Sequence, residues 1–521
     1  MHFLSQHLRT QRLGYFRTEG ITDTNAFLQG QNIIPVAHGH LFTPTNKCIN
    51  RKKIAIVAAS AVLALTLAGC NKAGGSSSGS SSAKKGGSSK KALEAAANGD
   101  YSKLKVQKDP TTKKAYDFGG LDVVIFDWWS GTETPAPANK AQEDQAAYRA
   151  YLEETYNFKC AQHGDGWSEH PTEVANYCIT GADDARIFII DGRSAIPGYT
   201  QGLWANVSKV PGIDWSDKKW NTAVNNVIPG YTFAASDPEP RACIYFNKRI
   251  LKENGYDPDE PYNLQRDGKW TWATFEEMLA NLTKDTDNDG VIDQYGLAGF
   301  NSETLIPALL GNGTSLVKVD SNGKYQLNFD DPKLIESLNW AHDLFAKYQI
   351  PQGEGANWDY FKSDFMNGKA AFYDNQQYDS NANGMLQDMK DDWGMVCWPS
   401  KEPGKAFTTN TDNMNVIPAF YSQDKVNKIM KIYDLWTDPV PGYDDPDAWK
   451  EYYYGSFRDT RAVDETLQYM MDNSKSWNAW LIPGLNYAPL SWNICGGADV
   501  QETYESMKNE LQATIDEAMN E

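Results

Sequence analysis

The chain has 521 residues, with 49 Lys and Arg against 68 Asp and Glu, so its formal net charge at pH 7 is −19. An acidic surface of this kind repels nucleic acid and anionic lipid, and it disfavours an acidic ligand unless a local basic pocket is present. The chain also contains 17 tryptophans, none of them before Trp128. Because indole rings grip flat apolar faces, an acidic and Trp-rich chain favours a neutral carbohydrate as its ligand.

A signal peptide is predicted over residues 51–69, directly before Cys70. A basic cluster at 51–53 precedes a short apolar run at 54–67, and small residues follow the run. The run is too short for a comfortable membrane-spanning helix, and this order of charge, apolar core and small residues is typical of a signal peptide. Its end resembles the lipobox of bacterial lipoproteins, in which the cysteine is acylated. We therefore expect Cys70 to carry a lipid that anchors the protein at the extracellular face of the cell membrane.

The segments on either side of this signal lead to two further predictions. Residues 1–50 have no feature of an export segment, so we expect that translation begins near residue 50 rather than at Met1. Residues 70–92 comprise the lipidated cysteine and a linker that is almost entirely Gly, Ser, Ala and Lys, which is the composition of a flexible tether. Removal of residues 1–69 leaves 42 basic and 66 acidic residues, a net charge of −24.

The folded part begins with strands that alternate with helices. Strands are predicted at 121–126, 157–161 and 185–190, and helices at 142–156 and 171–180. This alternation implies a largely parallel sheet, which places ligand sites at the carboxyl ends of its strands. Asp127, Trp128 and Trp129 follow the first strand, and Asp191 and Arg193 follow the third. These five residues are therefore candidates for a site.

The second part of the chain continues with mixed elements. Strands are predicted at 242–246, 370–373 and 392–399, and helices after Thr271, at 359–367 and at 501–521. Thr271 or Thr274 can cap the first of these helices, whose apolar residues recur at helical spacing. Gly368 is the expected C-cap of the second helix, and a polar loop is predicted over 374–378.

Four stretches of the chain are informative together: the lipobox with its Ser/Gly tether, residues 244–251, residues 268–278, and residues 365–372 with the following 393–396 strand and Pro399. Their order resembles the extracellular solute-binding proteins of ABC importers, family 1, the branch that includes maltose-binding protein. The resemblance covers residues 115–521. It implies an α/β periplasmic-binding-protein-like fold of type II, with two lobes, a hinge between them and a ligand cleft. Lobe 1 would comprise 115–238 plus 405–445, and lobe 2 would comprise 239–404 plus 446–521.

The strand ends and the resemblance together indicate a ligand-binding site whose side chains stack on sugar rings or bind hydroxyl groups. Its predicted members are Asp127, Trp128, Trp129, Asp191, Arg193, Glu239, Arg241, Asp374, Asn375, Gln376, Tyr378, Asn410, Asp412, Asn413 and Trp492. Structural alternatives stay open for several of them. One of Trp128 and Trp129 can belong to the core, and Asp127 can be a turn residue. Asp191 and Arg193 can simply brace their loop.

Residues 285–293 have the oxygen-ligand spacing of an EF-hand-like calcium loop. The predicted ligands are Asp285, Asp287, Asp289, the carbonyl of Val291, Asp293 and Gln294, the last because some relatives have a ligand directly after position nine. Position twelve is Gly296 and not Glu, so the usual bidentate ligand is missing. We expect a structural Ca²⁺ ion, and the alternative is an Asx-rich turn that needs no ion.

The cysteines after Cys70 are widely spread and have no C-x-x-C spacing. They are Cys160, Cys178, Cys243, Cys397 and Cys495. We expect scattered buried thiols, with a Cys160–Cys178 disulfide as the alternative.

The remaining motifs favour binding over catalysis. Beyond Cys70 the chain has only His163, His170 and His342, no H-E-x-x-H motif and no phosphate-binding loop. We expect no enzyme and no catalytic cofactor, but a monomeric, lipid-anchored substrate-binding protein. It would capture an oligosaccharide or sugar in the cleft and deliver it to the permease subunits of an ABC transporter. Two alternatives stay open: a secreted, lipid-anchored glycoside hydrolase and a polysaccharide-binding adhesin.

Overall fold

The computed structural model describes residue 88 and residues 90–520, apart from 138, 226–227, 229, 237–239, 322–323, 382–383, 410–412, 444–446 and 476. All of the described residues belong to one structural unit. The predicted signal peptide, Cys70, Glu239, Asn410 and Asp412 lie outside the described residues, so the roles given to them stay predictions.

Helices and strands alternate along most of the described chain. The helices are α1 (Lys90–Ala96), α2 (Lys140–Tyr156), α3 (His170–Thr180), α4 (Gly192–Thr200), α5 (Thr222–Asn225), α6 (Lys248–Glu253), α7 (Glu260–Arg266), α8 (Trp272–Leu282), α9 (Asn301–Gly311), α10 (Pro332–Tyr348), α11 (Tyr360–Met366), α12 (Gln423–Trp436), α13 (Gln468–Asp472), α14 (Ala488–Cys495) and α15 (Val500–Ile515). The strands are β1 (Leu121–Asp127), β2 (Phe158–Gly164), β3 (Ala185–Ile190), β4 (Ala242–Asn247), β5 (Tyr295–Ala298), β6 (Val317–Val319), β7 (Tyr325–Leu327), β8 (Ala370–Gln376), β9 (Trp393–Cys397), β10 (Thr408–Thr409), β11 (Met414–Val416) and β12 (Ser474–Lys475).

The first large sheet has the strand order β11-β3-β1-β2. Strand β1 is parallel to β2 and β3, while β11 is antiparallel to β3, so the predicted, largely parallel sheet is confirmed. Val123, Ile125 and Ile187 are almost completely buried, because helices cover both faces of a sheet built from βαβ units. The core around this sheet, which we call core 1, draws on residues 96–235 and 414–440. The part of the chain built on core 1 is lobe 1.

The second large sheet has the strand order β5-β8-β4-β9. It is mixed, because β8 is parallel to β5 but antiparallel to β4, and β4 is antiparallel to β9. Its core, core 2, draws on residues 242–407 and 457–515, and the part built on it is lobe 2. Ala406 and Phe407 pack in core 2, so the predicted lobe boundary near residue 405 is too early.

Several predicted elements of lobe 2 are present, and the predicted cap of α8 is confirmed. Helix α8 begins with a reciprocal capping box, in which the Thr271 N–H donates to Thr274 Oγ1 at 2.9 Å and the Thr274 N–H donates to Thr271 Oγ1 at 3.4 Å. The predicted polar loop at 374–378 is wrong in its first half, because β8 continues to Gln376. The two middle strands of this sheet, β4 and β8, are buried along nearly their whole length.

The chain crosses between the two cores more than once. Residues up to Ala235 pack in core 1 and residues from Ala242 pack in core 2, which defines a first crossing at 236–241. A second crossing, at 408–413, returns the chain to lobe 1. The two crossings touch, since the Arg241 N–H donates to the Thr409 carbonyl at 2.8 Å. Strand β10, at the start of the second crossing, also pairs in parallel with β12.

Two properties of the described residues bear on the remaining predictions. No helix in this part of the chain combines the length and the apolar character that a membrane crossing requires. The five cysteines after Cys70 are all free thiols, so the alternative of a Cys160–Cys178 disulfide is not formed in this structure.

Candidate functional site

The strand ends that carry the predicted site residues lie next to the two crossings. Ile190, the last residue of β3, pairs with Met414, which follows the second crossing. Gln376, the last residue of β8, pairs with Ala242, which follows the first crossing. Helix α4, which begins directly after β3, also contacts the short helical segment Asn478–Leu481, which packs on lobe 2. The carboxyl ends of β3 and β8 therefore both lie on the hinge side of their lobes, and we call the region between them the cleft.

Three tryptophans cluster at the carboxyl ends of β1 and β2, on the hinge side of lobe 1. The Trp128 ring is edge-on to the rings of Trp129 and Trp167, with ring centroids 4.9 and 5.0 Å apart. Trp129 and Trp167 are 52% and 51% exposed, while Trp128 is partly buried between them. We call these three residues the first aromatic cluster. In it Trp128 supports two indole rings that are about half exposed.

His170 supports this cluster from below. It is buried, and its ring lies 5.5 Å from the Phe126 ring and 5.4 Å from the Trp128 ring. Its Nε2 is 2.8 Å from the Ile189 carbonyl oxygen, and its Nδ1 is 3.0 Å from Asp165 Oδ1. Because both ring nitrogens have oxygen partners, the imidazole is held in one orientation beneath Trp128.

Asp191 and Arg193 join the cluster to the start of α4. Asp191 Oδ1 accepts from the Ser194 N–H at 3.0 Å, which caps the helix, and Asp191 Oδ2 accepts from Arg193 Nη2 at 2.9 Å. The Arg193 guanidinium carbon lies 5.5 Å from the centre of the Trp167 ring. The pair therefore braces its loop, which was the structural alternative for these two residues. It also places guanidinium donors beside an exposed indole.

The structure gives Asp127 the alternative role of a turn residue. Its side chain is completely buried. Its Oδ1 accepts from the Trp129 and Ser130 N–H groups, both at 2.8 Å, and its Oδ2 accepts from the Ser130 hydroxyl and Gln162 Nε2, both at 2.6 Å. With four donors on its two oxygens, this carboxylate holds the turn that presents Trp129 and has no oxygen left for a ligand in this conformation.

Asp374 and Asn375 are also placed differently from the prediction, because they lie inside β8. Asp374 is completely buried and accepts from the Phe300 N–H at 2.7 Å and from the Thr304 hydroxyl. Burial raises the pKa of the Asp374 carboxyl to about 7, although these hydrogen bonds act in the opposite direction. Asn375 is buried as well and donates to the Tyr373 hydroxyl oxygen. Both residues hold lobe 2 together and are not available to a ligand in this conformation.

The next residues along β8 do reach the hinge side of lobe 2. Gln376 Nε2 donates to Glu303 Oε1 at 2.7 Å, and burial raises the pKa of the Glu303 carboxyl while this bond lowers it. Tyr378 is 41% exposed, and the Arg241 guanidinium carbon lies 5.7 Å from the centre of its ring. Asn413 is partly exposed directly before β11. These side chains place hydrogen-bonding groups and one aromatic face around the crossings.

A second group of aromatic residues surrounds Phe300 on lobe 2. The rings of Trp358 and Trp492 lie 5.7 and 6.2 Å from the Phe300 ring, centroid to centroid. Trp358 is 59% exposed and Trp492 is 48% exposed. We call these three residues the second aromatic cluster. Since the Phe300 N–H is bonded to Asp374 in β8, this cluster lies close to the carboxyl end of that strand.

Three residues of these surfaces were not found from the sequence. Trp167 follows β2, whose predicted end at residue 161 is three residues too early. Trp358 follows a stretch rich in Gly and polar residues, and because single exposed hydrophobic residues are common on protein surfaces, the sequence offers no signal for it. Glu303 lies in the first turn of α9, a helix that was not predicted.

The predicted calcium loop brings three carboxylates together. Oxygen atoms of Asp285, Asp287 and Asp289 lie within 4.8 Å of one another. Asp285 also accepts from the N–H groups of Asn288 and Gly290, at 2.6 and 2.7 Å, and the bond from Gly290 is the main cause that lowers the pKa of this carboxyl. Three clustered carboxylates suit a hard cation, while the bonds to the backbone are those of the alternative Asx-rich turn.

The other predicted calcium ligands point elsewhere, apart from Val291, which stays in the loop. Both Asp293 carboxylate oxygens accept from the Thr286 hydroxyl, at 2.8 and 2.7 Å. Gln294 is buried, and its amide donates to the last carbonyl of α8 at 2.9 Å. A Cβ atom at Gly296 would be 2.6 Å from the Leu279 carbonyl oxygen, so the absence of a glutamate at position twelve has a steric cause.

Comparison with known proteins identifies the fold. No protein-family model matches the sequence, and no curated protein matches it either. Solved structures are similar: the ABC substrate-binding protein Lmo0181 from Listeria monocytogenes in complex with cycloalternan has a TM-score of 0.53 at 14% identity and covers 77% of this chain and 99% of its own. The GacH receptor of Streptomyces glaucescens, solved in complex with acarbose, has a TM-score of 0.53 at 12% identity, over 76% of this chain and 99% of its own.

A third similar structure widens the range of ligands. UgpB from Mycobacterium tuberculosis, in complex with glycerophosphocholine, has a TM-score of 0.53 at 16% identity and covers 77% of this chain and 99% of its own. Identities this low show a common fold and leave the ligand open. The chain has the two-lobed, type II periplasmic-binding-protein fold, which is the fold of the substrate-binding proteins of ABC transporters.

Proposed function

We propose that this protein is the substrate-binding component of an ABC transporter and that it captures an oligosaccharide or sugar in the cleft. One observation carries the proposal: exposed tryptophans lie on the hinge side of both lobes. They are Trp129 and Trp167 on lobe 1 and Trp358 and Trp492 on lobe 2. Indole rings that keep an open face offer stacking surfaces for the apolar faces of sugar rings.

The polar groups beside these rings support a ligand rich in hydroxyl groups. Arg193 adjoins Trp167, and Glu303 and Gln376 lie near the second aromatic cluster. Charge-assisted hydrogen bonds of this kind fix the orientation of a ligand that stacking alone leaves free. Cycloalternan and acarbose, bound by two of the similar proteins, are saccharides. The acidic net charge of this chain favours a neutral ligand of this kind over one with a net negative charge.

Capture and delivery follow from the hinge. A ligand that touches both lobes stabilises the closed form over the open one, because only the closed form makes both sets of contacts. The permease subunits then recognise the closed form, and a partner protein hydrolyses ATP. A lipid on Cys70 would keep the protein near the permease at the extracellular face of the membrane, which the signal pattern at 51–69 supports.

The test is isothermal titration calorimetry of the full chain against a panel of glycans, with analysis of the recovered glycan. We expect saturable one-to-one binding of an unaltered glycan. A shortened glycan would identify the protein as a glycoside hydrolase instead. Binding to insoluble polysaccharide without any affinity for soluble oligosaccharides would favour the adhesin. If no glycan of the panel binds, sugars are excluded as the ligand class.

Substitution of one indole on each lobe tests the surfaces themselves. We expect Trp129→Ala and Trp358→Ala each to weaken binding by about 2 kcal/mol, a factor of roughly 30 in Kd, because each removes a stacking face. Phe420→Ala is the matched control. Phe420 is also exposed (42%), but it contacts Tyr177, which is bonded to Asp184 at the opposite end of β3. Equal affinity of all three variants would contradict the proposed site.

A further inference from the structure

Two of the free cysteines lie opposite each other on neighbouring strands of lobe 2. Cys243 in β4 and Cys397 in β9 are direct partners in an antiparallel pair. Residues opposite each other in such a pair direct their side chains to the same face of the sheet. The sequence alone predicts scattered thiols, because 153 residues separate these two cysteines along the chain and nothing in their spacing indicates that they meet.

The hydrogen bonds show which kind of antiparallel pair they form. The Cys397 N–H donates to Gln265 Oε1 at 2.7 Å, and the Cys397 carbonyl accepts from Trp270 Nε1 at 2.8 Å. Both backbone groups therefore point away from β4. Two residues earlier on β9, the Met395 N–H likewise points outward, to the Tyr262 hydroxyl at 3.2 Å. This alternation identifies Cys243 and Cys397 as a non-hydrogen-bonded pair.

The geometry of such a pair suits a disulfide. In a non-hydrogen-bonded pair the Cα atoms are about 4.5 Å apart and the side chains approach each other closely. Disulfides span Cα separations of about 4.4–6.8 Å, so this pair falls at the short end of the range.

We propose that Cys243 and Cys397 form a reversible cross-strand disulfide when the protein meets a disulfide-exchanging oxidant. The reaction converts two protein thiols and one oxidised glutathione molecule into the protein disulfide and two reduced glutathione molecules. Two electrons and two protons thereby pass to the oxidant. An extracellular position, which the signal pattern predicts, would expose the chain to oxidants of this class. The proposal does not depend on which ligand occupies the cleft.

Burial determines when this bond can form. Neither side chain is exposed, and burial raises the pKa of both thiols. Because the thiolate is the attacking species, exchange in the folded state is slow, and oxidation takes place while the sheet is forming or opened. The bond would link the strand that leaves the first crossing to the strand that leads, through residues 398–407, into the second crossing.

The experiment compares two refolding conditions. The full chain is unfolded under reducing conditions and refolded either in a buffer of oxidised and reduced glutathione or with excess reductant. Free thiols are then blocked with N-ethylmaleimide, and peptides are mapped by mass spectrometry without reduction. We expect a linked peptide containing Cys243 and Cys397 in the glutathione sample alone, together with a melting temperature several degrees above that of the reduced sample.

Two variants show whether the rise in stability belongs to this pair. Cys397→Ser should abolish the linked peptide and the difference in melting temperature, while Cys178→Ser should preserve both. Blocked Cys243 and Cys397 in the glutathione sample would overturn the proposal, and so would a link from either cysteine to another residue. The wild-type peptide map decides the question even if Cys397→Ser does not fold.

Discussion

Asp374 is a carboxyl group that the fold keeps away from water. Its partners, the Phe300 N–H and the Thr304 hydroxyl, lie 74 and 70 residues away in the sequence. A polar residue after an apolar run reads as the start of a loop, and only these distant partners allow it to stay in a buried strand. Its placement in a loop, and hence its predicted contact with a ligand, could not be corrected from the sequence alone.

Asp374→Asn should change how stability depends on pH. The folded-state pKa is about 7 against an ordinary value of 3.8, so the folded form holds the proton more tightly. The stabilisation is full below about pH 4 and is lost as the pH rises through about 7, by about 4 kcal/mol in total. An asparagine of the same shape never ionises, so the variant should gain stability relative to wild type as the pH rises.

The measurement is urea unfolding of both proteins at about pH 5 and about pH 8, followed by circular dichroism. Differences between variant and wild type are compared, because other carboxyl groups titrate in the same range. A difference in unfolding free energy that is the same at both pH values would show that Asp374 does not titrate between them. Ligand affinity is measured alongside and reports separately on the second aromatic cluster, because Asp374 accepts a hydrogen bond from the Phe300 N–H.

At the scale of elements, the sequence predicts well where local signals are strong. Strand β3 has its predicted bounds, and α8 begins at the predicted Thr271 cap. Helix α9 was missed because no side chain caps its first turn and Pro307 lies inside it. Trp167 was missed for a similar reason: polar Gln162 and His163 near the end of β2 made the predicted strand too short. Trp167 and Glu303, which were missed, thus adjoin or belong to elements whose ends have weak local signals.

The binding of a Ca²⁺ ion by the loop at 285–293 remains a prediction. We expect millimolar Ca²⁺ to raise the melting temperature of the wild-type protein, because an ion relieves repulsion among three neighbouring carboxylates. Asp287→Asn should remove most of this rise, whereas Gln294→Ala should keep it, since Gln294 is bonded to α8. Differential scanning calorimetry with Ca²⁺ and with a chelator measures both. Equal melting temperatures in the two conditions would leave the Asx-rich turn as the correct reading.

At the scale of the whole molecule, the two crossings limit how the lobes can move. They are joined at Arg241 and Thr409, so we expect them to bend together and closure to be a hinge motion. We expect the radius of gyration from small-angle X-ray scattering to fall when the full chain is saturated with the glycan that binds it. At a glycan concentration below the Kd of the Trp358→Ala variant, this variant should keep the larger radius of gyration of the ligand-free protein. A saturated wild-type protein with an unchanged radius would contradict closure.

The outward hydrogen bonds of β9 also protect the protein against aggregation with other copies of itself. This strand is an edge of its sheet, and a bare edge is a template on which a strand from another molecule can assemble. Tyr262 and Gln265 of α7 occupy two of the N–H groups that such a strand would need. A molecule that folds without α7 in place would expose this edge, and intermolecular aggregation would begin there.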